Sequence, residues 1–310
     1  MGRHGERATT GSLVVGGVPR EPLAPDPSSP SSMLGRAWLL FRASHPEPTA
    51  AVTAMATAYA WARGRGARGC LAVGLAVGAG QLSVGWQNDW RDAARDERAA
   101  RADKPVARGM LEVATVRRAA TAAGAAALPL SLASGRRAAA AHAVALGAAW
   151  CYNLGLKATP ASFVPYALAF PLLAVFVEGG GTAPTRPPAW LLGGVSLIGV
   201  GAHLANATPD IPADLAEGIR GLPQRLGREW SLRAATILVS AASGLLALGP
   251  GRPGKGRIAA LLAVPVLAGL GLRAPGAESR APFRAVMAVA ALDVGLLVTA
   301  GRRRRRWVER

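Results

Sequence analysis

Cysteine is almost missing from this chain. Cys70 and Cys151 are the two in 310 residues, too few for a thiolate metal cluster or a disulfide framework, and each reads as a small packing residue. Aromatic residues are scarce at 5%. Acids are scarce too: 18 Asp and Glu stand against 36 Lys and Arg, for a formal net charge of +18 and a pI near 11.6. The apolar stretches also lack the polar face that a soluble helix shows at helical spacing. Gly69–Trp86, Ala189–Ala207 and Ala281–Gly301 are nearly uncharged, and each approaches the roughly 20 residues that span a bilayer core. The first 33 residues hold no contiguous apolar run with a cleavage site, so no signal peptide is expected.

What is present is apolar and small. Hydrophobic residues make up 51% and mean hydropathy is +0.24, in long runs of Ala, Leu, Val and Gly. Helices in lipid associate where small residues let backbones approach. The expected fold is therefore all-α, a polytopic membrane bundle of about nine spans, near 47–62, 69–87, 112–133, 137–153, 160–177, 189–208, 231–249, 257–272 and 282–300. Gly and Pro clusters separate them. Residues 1–33, rich in Pro, Ser, Gly and Arg, read as a disordered tail. The membrane domain covers 34–301, and 302–310 form a basic C-terminal tail.

In a soluble protein such basicity would suggest nucleic acid. Here the arginines sit between apolar runs, so the lipid bilayer's anionic headgroups and an anionic substrate are the better partners. Lys and Arg are more numerous on the side of the N-terminus, which places that side in the cytoplasm of a multi-pass cell-membrane protein. Nine spans leave Arg302–Arg306 outside; an even number would bring them in.

The acids that exist are clustered. After the second span comes Asn88-Asp89-Trp90-Arg91-Asp92-Ala93-Ala94-Arg95-Asp96. If that helix continues, Asn88, Asp92 and Asp96 share one face where it leaves the membrane. After the sixth span, Asn206, Asp210 and Asp214 repeat the spacing of four, with Pro209 and Pro212 breaking the helix. Like charges so spaced repel near hydrocarbon, and a divalent cation removes that cost. Magnesium takes one or two carboxylates together with water and phosphate oxygens, so two facing clusters suit a magnesium-bound diphosphate. Each cluster alone also fits a solvated loop paired to arginines; the repeated spacing after even-numbered spans makes the pair informative. Lys104, Arg108, Lys157, Arg225 and Arg228 lie close by, and fixed cations stabilise a diphosphate leaving group.

These residues resemble the UbiA superfamily of intramembrane prenyltransferases. Asn88 to Asp96 looks like its first motif, NDxxDxxxD. Asp210-Ile211-Pro212-Ala213-Asp214 with Gly218 and Leu222-Pro223-Gln224-Arg225-Leu226-Gly227 looks like its second. Tyr152 to Lys157 is similar to the stretch after its fourth helix, and Arg42 sits where many members have arginine. The resemblance implies a bundle around a central cavity capped by the aspartate motifs, and magnesium-dependent transfer of an isoprenoid from its diphosphate to an aromatic or other lipophilic acceptor. It implies that Asn88, Asp92, Asp96, Asp210 and Asp214 hold Mg²⁺, with the four aspartates catalytic. Lys104, Arg108, Lys157, Arg42 and Arg225 are the implied diphosphate ligands; Asp89 and Asn206 are weaker candidates. The family's usual Thr before Leu222-Pro223 is Gly221 here. His203 and Asp293 are each either a pocket group or an interhelical packing partner. An intramembrane terpene cyclase shares the same ionisation without an acceptor, and a transporter or lipid-binding protein is a third reading.

Overall fold

The computed structural model describes residues 32–308, apart from 182–183, 252–253, 273–275 and 277–278. All but the last two residues of the expected tail thus lie outside the described residues. Those that are described form α1 (Met33–Ala43), α2 (Pro46–Ala62), α3 (Gly66–Arg98), α4 (Val113–Leu132), α5 (Arg136–Asn153), α6 (Val164–Glu178), α7 (Ala189–Ala207), α8 (Ile211–Ala216), α9 (Leu222–Leu248), α10 (Lys255–Leu272) and α11 (Ala281–Val308), with a 3-10 turn at Leu156–Ala158. The described residues include no strand. Each expected apolar segment falls on one long helix. By length and composition α3, α7, α9 and the Ala281–Val298 part of α11 can cross a membrane, and α6 is apolar but shorter.

Two short helices were not expected. Helix α1 begins inside the segment assigned to the tail, where the Ser32 hydroxyl accepts the Gly35 N–H at 2.9 Å and caps it. It buries Gly35, Leu39 and Ala43 against the bundle and turns Met33, Leu34, Trp38 and Phe41 outward. Helix α8 starts at Ile211-Pro212, since proline is tolerated in a first turn but not inside a helix. The expected break after α7 is therefore real: the chain turns at Thr208-Pro209-Asp210 and restarts.

Consecutive helices pack against each other, α2 on α3, α3 on α4, α5 on α6 and α6 on α7, and α11 returns to α2, α7 and α9 to close the ring. The seams are lined by small residues. A methyl at Gly201 would meet Val239 at 2.7 Å and one at Gly194 would meet Leu246 at 2.7 Å, so α7 and α9 touch almost backbone to side chain. The tightest approach is at Gly85 of α3, where a Cβ would lie 2.1 Å from the Ser44 carbonyl oxygen. The alternation of helices sets the loops 99–112, 154–163 and 208–221 at one end of the bundle. Both acidic segments are at that end.

Candidate active site

Helix α3 does not stop at the end of its apolar stretch but runs to Arg98. Its continuous turn sequence puts Asn88, Asp92 and Asp96 on one face, and all three line a cavity of about 250 Å³ together with Asp210 and Asp214. The two acidic segments meet across Arg95. Its guanidinium lies 2.9 Å from Asp92 Oδ2, 3.4 Å from Asp214 Oδ1 and 3.9 Å from Asp96 Oδ1. The remaining acids are also paired. Lys157 donates to Asp92 Oδ1. Arg101 donates to Asp210 Oδ1 at 2.9 Å and chelates Asp103 through two further N–H groups.

Neutral partners fix the geometry. Asn88 donates to Asp92 Oδ2 at 3.0 Å, and Asn153 Oδ1 lies 3.4 Å from the same amide. Asn153 itself is locked by donating to Val84 O and Gln87 Oε1, both at 3.1 Å. Gln224 donates to Asp214 Oδ2 at 2.7 Å. Burial pushes the Asp214 carboxyl up to about 6, partly opposed by Arg95. Burial also lowers Lys157, against the pull of Asp92, while the Arg101 fork holds Asp103 down at about 2.

The sequence-predicted residues divide cleanly. Asn88, Asp92, Asp96, Asp210, Asp214, Lys104, Lys157 and Asn206 border the cavity. Arg42, Arg108 and Arg225 do not: Arg42 donates to the Asp103 carbonyl at 3.3 Å on the outer surface, Arg225 to the Arg220 carbonyl at 2.9 Å, and Arg108 is exposed. Asp89 is one position, about 100° of helix, away from Asn88. It is 1% exposed and faces the α1–α2 joint, bound to Lys104 and to His45 Nε2 at 2.9 Å. His203 is buried behind the wall, with Nε2 3.0 Å from Ser162 Oγ and its ring stacked on Tyr166. Asp293 accepts from Ser243 at 2.7 Å, joining α11 to α9. Both are interhelical partners.

Sequence reasoning missed Arg95, Arg101, Arg280, Asn153 and His45, which all line the cavity. The mark of His45 is in its backbone, which is left-handed at φ 54. That conformation is costly for a residue with a Cβ and persists where surroundings over-determine it. The cavity wall also gathers Tyr152, Tyr166, Phe170 and Phe283, so aromatics that are rare in the chain are concentrated here.

Gly221 stands where a side chain has no room. A Cβ there would meet the Lys157 carbonyl at 2.4 Å, Gln224 Oε1 at 2.8 Å and Ser162 Oγ at 3.1 Å. Gly221→Thr is expected to push back the turn carrying Lys157 and loosen Gln224 from Asp214. A loss of about 10- to 100-fold in kcat/KM is anticipated, as for other groups that orient ligands. Wild-type kinetics in the variant would show that the contact is not structural.

The donor set suits magnesium. Five hard oxygen donors, four of them carboxylates, border one cavity. Among the described residues no group of three or more His, Cys, Asp or Glu converges on one point, and Arg95 lies within 4 Å of Asp92, Asp96 and Asp214. A cation that expects phosphate oxygens and water for most of its shell does not require a closed protein cage.

An all-helical membrane bundle with a charged mouth over an aromatic-lined chamber is the class that this fold and site define. The chain belongs to the UbiA prenyltransferase family, which matches residues 49–300, and its members are prenyl-transferring enzymes. The fold is that of solved relatives. A UbiA homolog from Archaeoglobus fulgidus bound to DMAPP and Mg²⁺ is 16% identical, with a TM-score of 0.61 over 83% of this chain and 98% of that one. A UbiA homolog from Aeropyrum pernix K1 is 18% identical, with a TM-score of 0.66 over 82% and 98%. A digeranylgeranylglyceryl phosphate synthase is 17% identical, with a TM-score of 0.62 over 86% and 99%. No curated protein matches the chain in sequence.

Proposed function

We propose that this protein is a magnesium-dependent prenyltransferase that moves an isoprenoid from its diphosphate to an aromatic or other lipophilic acceptor, at the cytoplasmic face of the cell membrane. The observation that carries this reading is the Arg95 bridge, which brings Asp92 and Asp214 from two distant segments onto one cavity. Asn88, Asp92, Asp96, Asp210 and Asp214 would hold the metal with the diphosphate. Bound Mg²⁺ would neutralise the leaving group's negative charge.

The protein's own residues supply the rest. Lys104, Lys157, Arg95 and Arg101 border the same space and can donate to phosphate oxygens once these compete with the carboxylates. As the C1–O bond breaks, its electron pair leaves with the diphosphate, where those cations stabilise it. The allylic cation left behind faces Tyr152, Tyr166 and Phe170, whose ring faces attract positive charge. The apolar wall keeps water away, so the acceptor nucleophile captures C1 and then loses its proton.

The same aromatic wall favours a second reading, cyclisation of the cation without an acceptor. Purified protein in lipid nanodiscs with geranyl or longer prenyl diphosphates tests both. Diphosphate release is expected to need Mg²⁺, to stop with EDTA and to return on adding Mg²⁺ back. A prenylated acceptor supports transfer, and a cyclic hydrocarbon formed without acceptor supports the cyclase. Metal-independent release, or none at any chain length, would overturn the reading.

A further inference from the structure

Below the aspartate mouth lies a second cavity, of about 90 Å³, whose exposed lining is almost wholly apolar. It is not separate. Val52, Phe170 and Leu173 border both cavities, and the four helices that wall the lower one, α2, α6, α7 and α11, also line the upper one beside α3 and α5. At 1.5 Å per residue, Asn206 to Leu191 on α7 and Phe283 to Leu297 on α11 each descend about 20 Å, and Pro165 to Val177 on α6 about 18 Å. Helix α2 descends similarly from His45 at the mouth to Tyr59.

A polar network that the proposed chemistry does not use stands at the lower end. Tyr59 lines the lower cavity and is 9% exposed. Its hydroxyl donates to Glu178 Oε1. Glu178, 5% exposed, also accepts from Thr185 Oγ1 at 2.7 Å and from Arg63 at 3.4 Å through its other oxygen. Glu178 at the end of α6, with Arg63 just beyond α2 and Thr185 in the loop after α6, thus holds the Tyr59 ring in place. A buried carboxylate with this many donors resists displacement.

Resting on the prenyltransferase reading, we propose that Tyr59, pinned by Glu178, is the stop that sets the longest isoprenoid tail the enzyme accepts. An isoprene unit adds four main-chain carbon–carbon bonds, about 5 Å when extended. A depth of about 20 Å therefore takes roughly four units, and a longer tail must press on the ring. The substrate class is a prenyl diphosphate of two to about four units.

The test is a ladder of prenyl diphosphates from two to six units, each competing with a fluorescent geranyl diphosphate analogue in the presence of Mg²⁺. The readout is affinity relative to the two-unit compound within each variant. For wild type, affinity is expected to rise with length and then fall about 10-fold or more beyond four units, since a pocket rejects an oversized group on that scale. Tyr59→Ala is expected to move the fall to a longer chain. Ala56→Phe, which narrows the lower cavity without touching the network, is expected to move it to a shorter one, so the proposal does not hang on one variant's folding. A flat profile beyond four units, as for a tail leaving sideways into lipid, would overturn the stop alone. A profile that neither variant shifts would overturn it equally. Binding of no prenyl diphosphate at any length would overturn the stop and the proposed function together.

Discussion

Asp92→Ala is expected to lower kcat/KM for the prenyl diphosphate by on the order of 10³-fold or more. Asp92 is 6% exposed and is the residue on which the site's charges converge: Lys157 on one oxygen, Arg95 and Asn88 on the other. Its removal deletes an oxygen donor from the cavity and leaves two cations without their nearest counter-charge. Asp214→Ala acts from the other acidic segment and is expected to fall as far. Asp92→Asn separates charge from shape, keeping the side chain's size and one oxygen, and it too is expected to be severely impaired. The check is diphosphate release across a Mg²⁺ titration. Full activity in Asp92→Ala or Asp214→Ala at saturating metal would mean that the cavity is not where the bond breaks.

Gly85→Ala is the substitution with the largest expected cost to folding. The new methyl would sit 2.1 Å from the Ser44 oxygen and 2.6 Å from its carbonyl carbon, and backbone cannot rotate aside as a side chain can. Overpacking costs about 1–3 kcal/mol and sometimes more; with no flexible neighbour the upper end applies. That corresponds to a fall in Tm of roughly 5 °C for a chain of this size. Activity should suffer as well, because Ser44 precedes His45, which contacts Asp89 and Lys104 at the mouth. Thermal unfolding in detergent, followed by tryptophan fluorescence, measures the first effect. A variant melting within about 2 °C of the parent would show that α1 and α3 can separate at no cost.

The fold was legible wherever it depends on composition. Apolar runs bounded by Gly and Pro located all nine long helices among the described residues, since a bilayer demands length and hydrophobicity of each span. Helix α1 escaped notice because it is short and lies beside a Pro- and Ser-rich stretch. In the site, spacing located Asn88, Asp92 and Asp96, because helical geometry fixes which residues share a face. Spacing fails in loops: Arg108 follows the first motif and Arg225 the second, yet both face outward, whereas Lys104 and Lys157 turn in. Arg95 lay inside the first motif but read as filler between acids, and only the tertiary structure reveals that it also reaches Asp214. Aromatic residues are scarce, and composition cannot say that Tyr152, Tyr166, Phe170 and Phe283 converge on the cavity.

Helix α1 has a bearing on where along the membrane normal the reaction takes place. Its outward Trp38 and Phe41, with Met33 and Leu34, form the kind of surface that settles at the boundary between headgroups and acyl chains. Only Ser44 and His45 separate it from α2, and His45 contacts Asp89 at the level of the acid cluster. The acid cluster is thereby tied to α1 and its outward apolar side chains. On the proposed reading, an amphiphile in the adjoining leaflet would meet the mouth with its charged head and would not have to dissolve in water first.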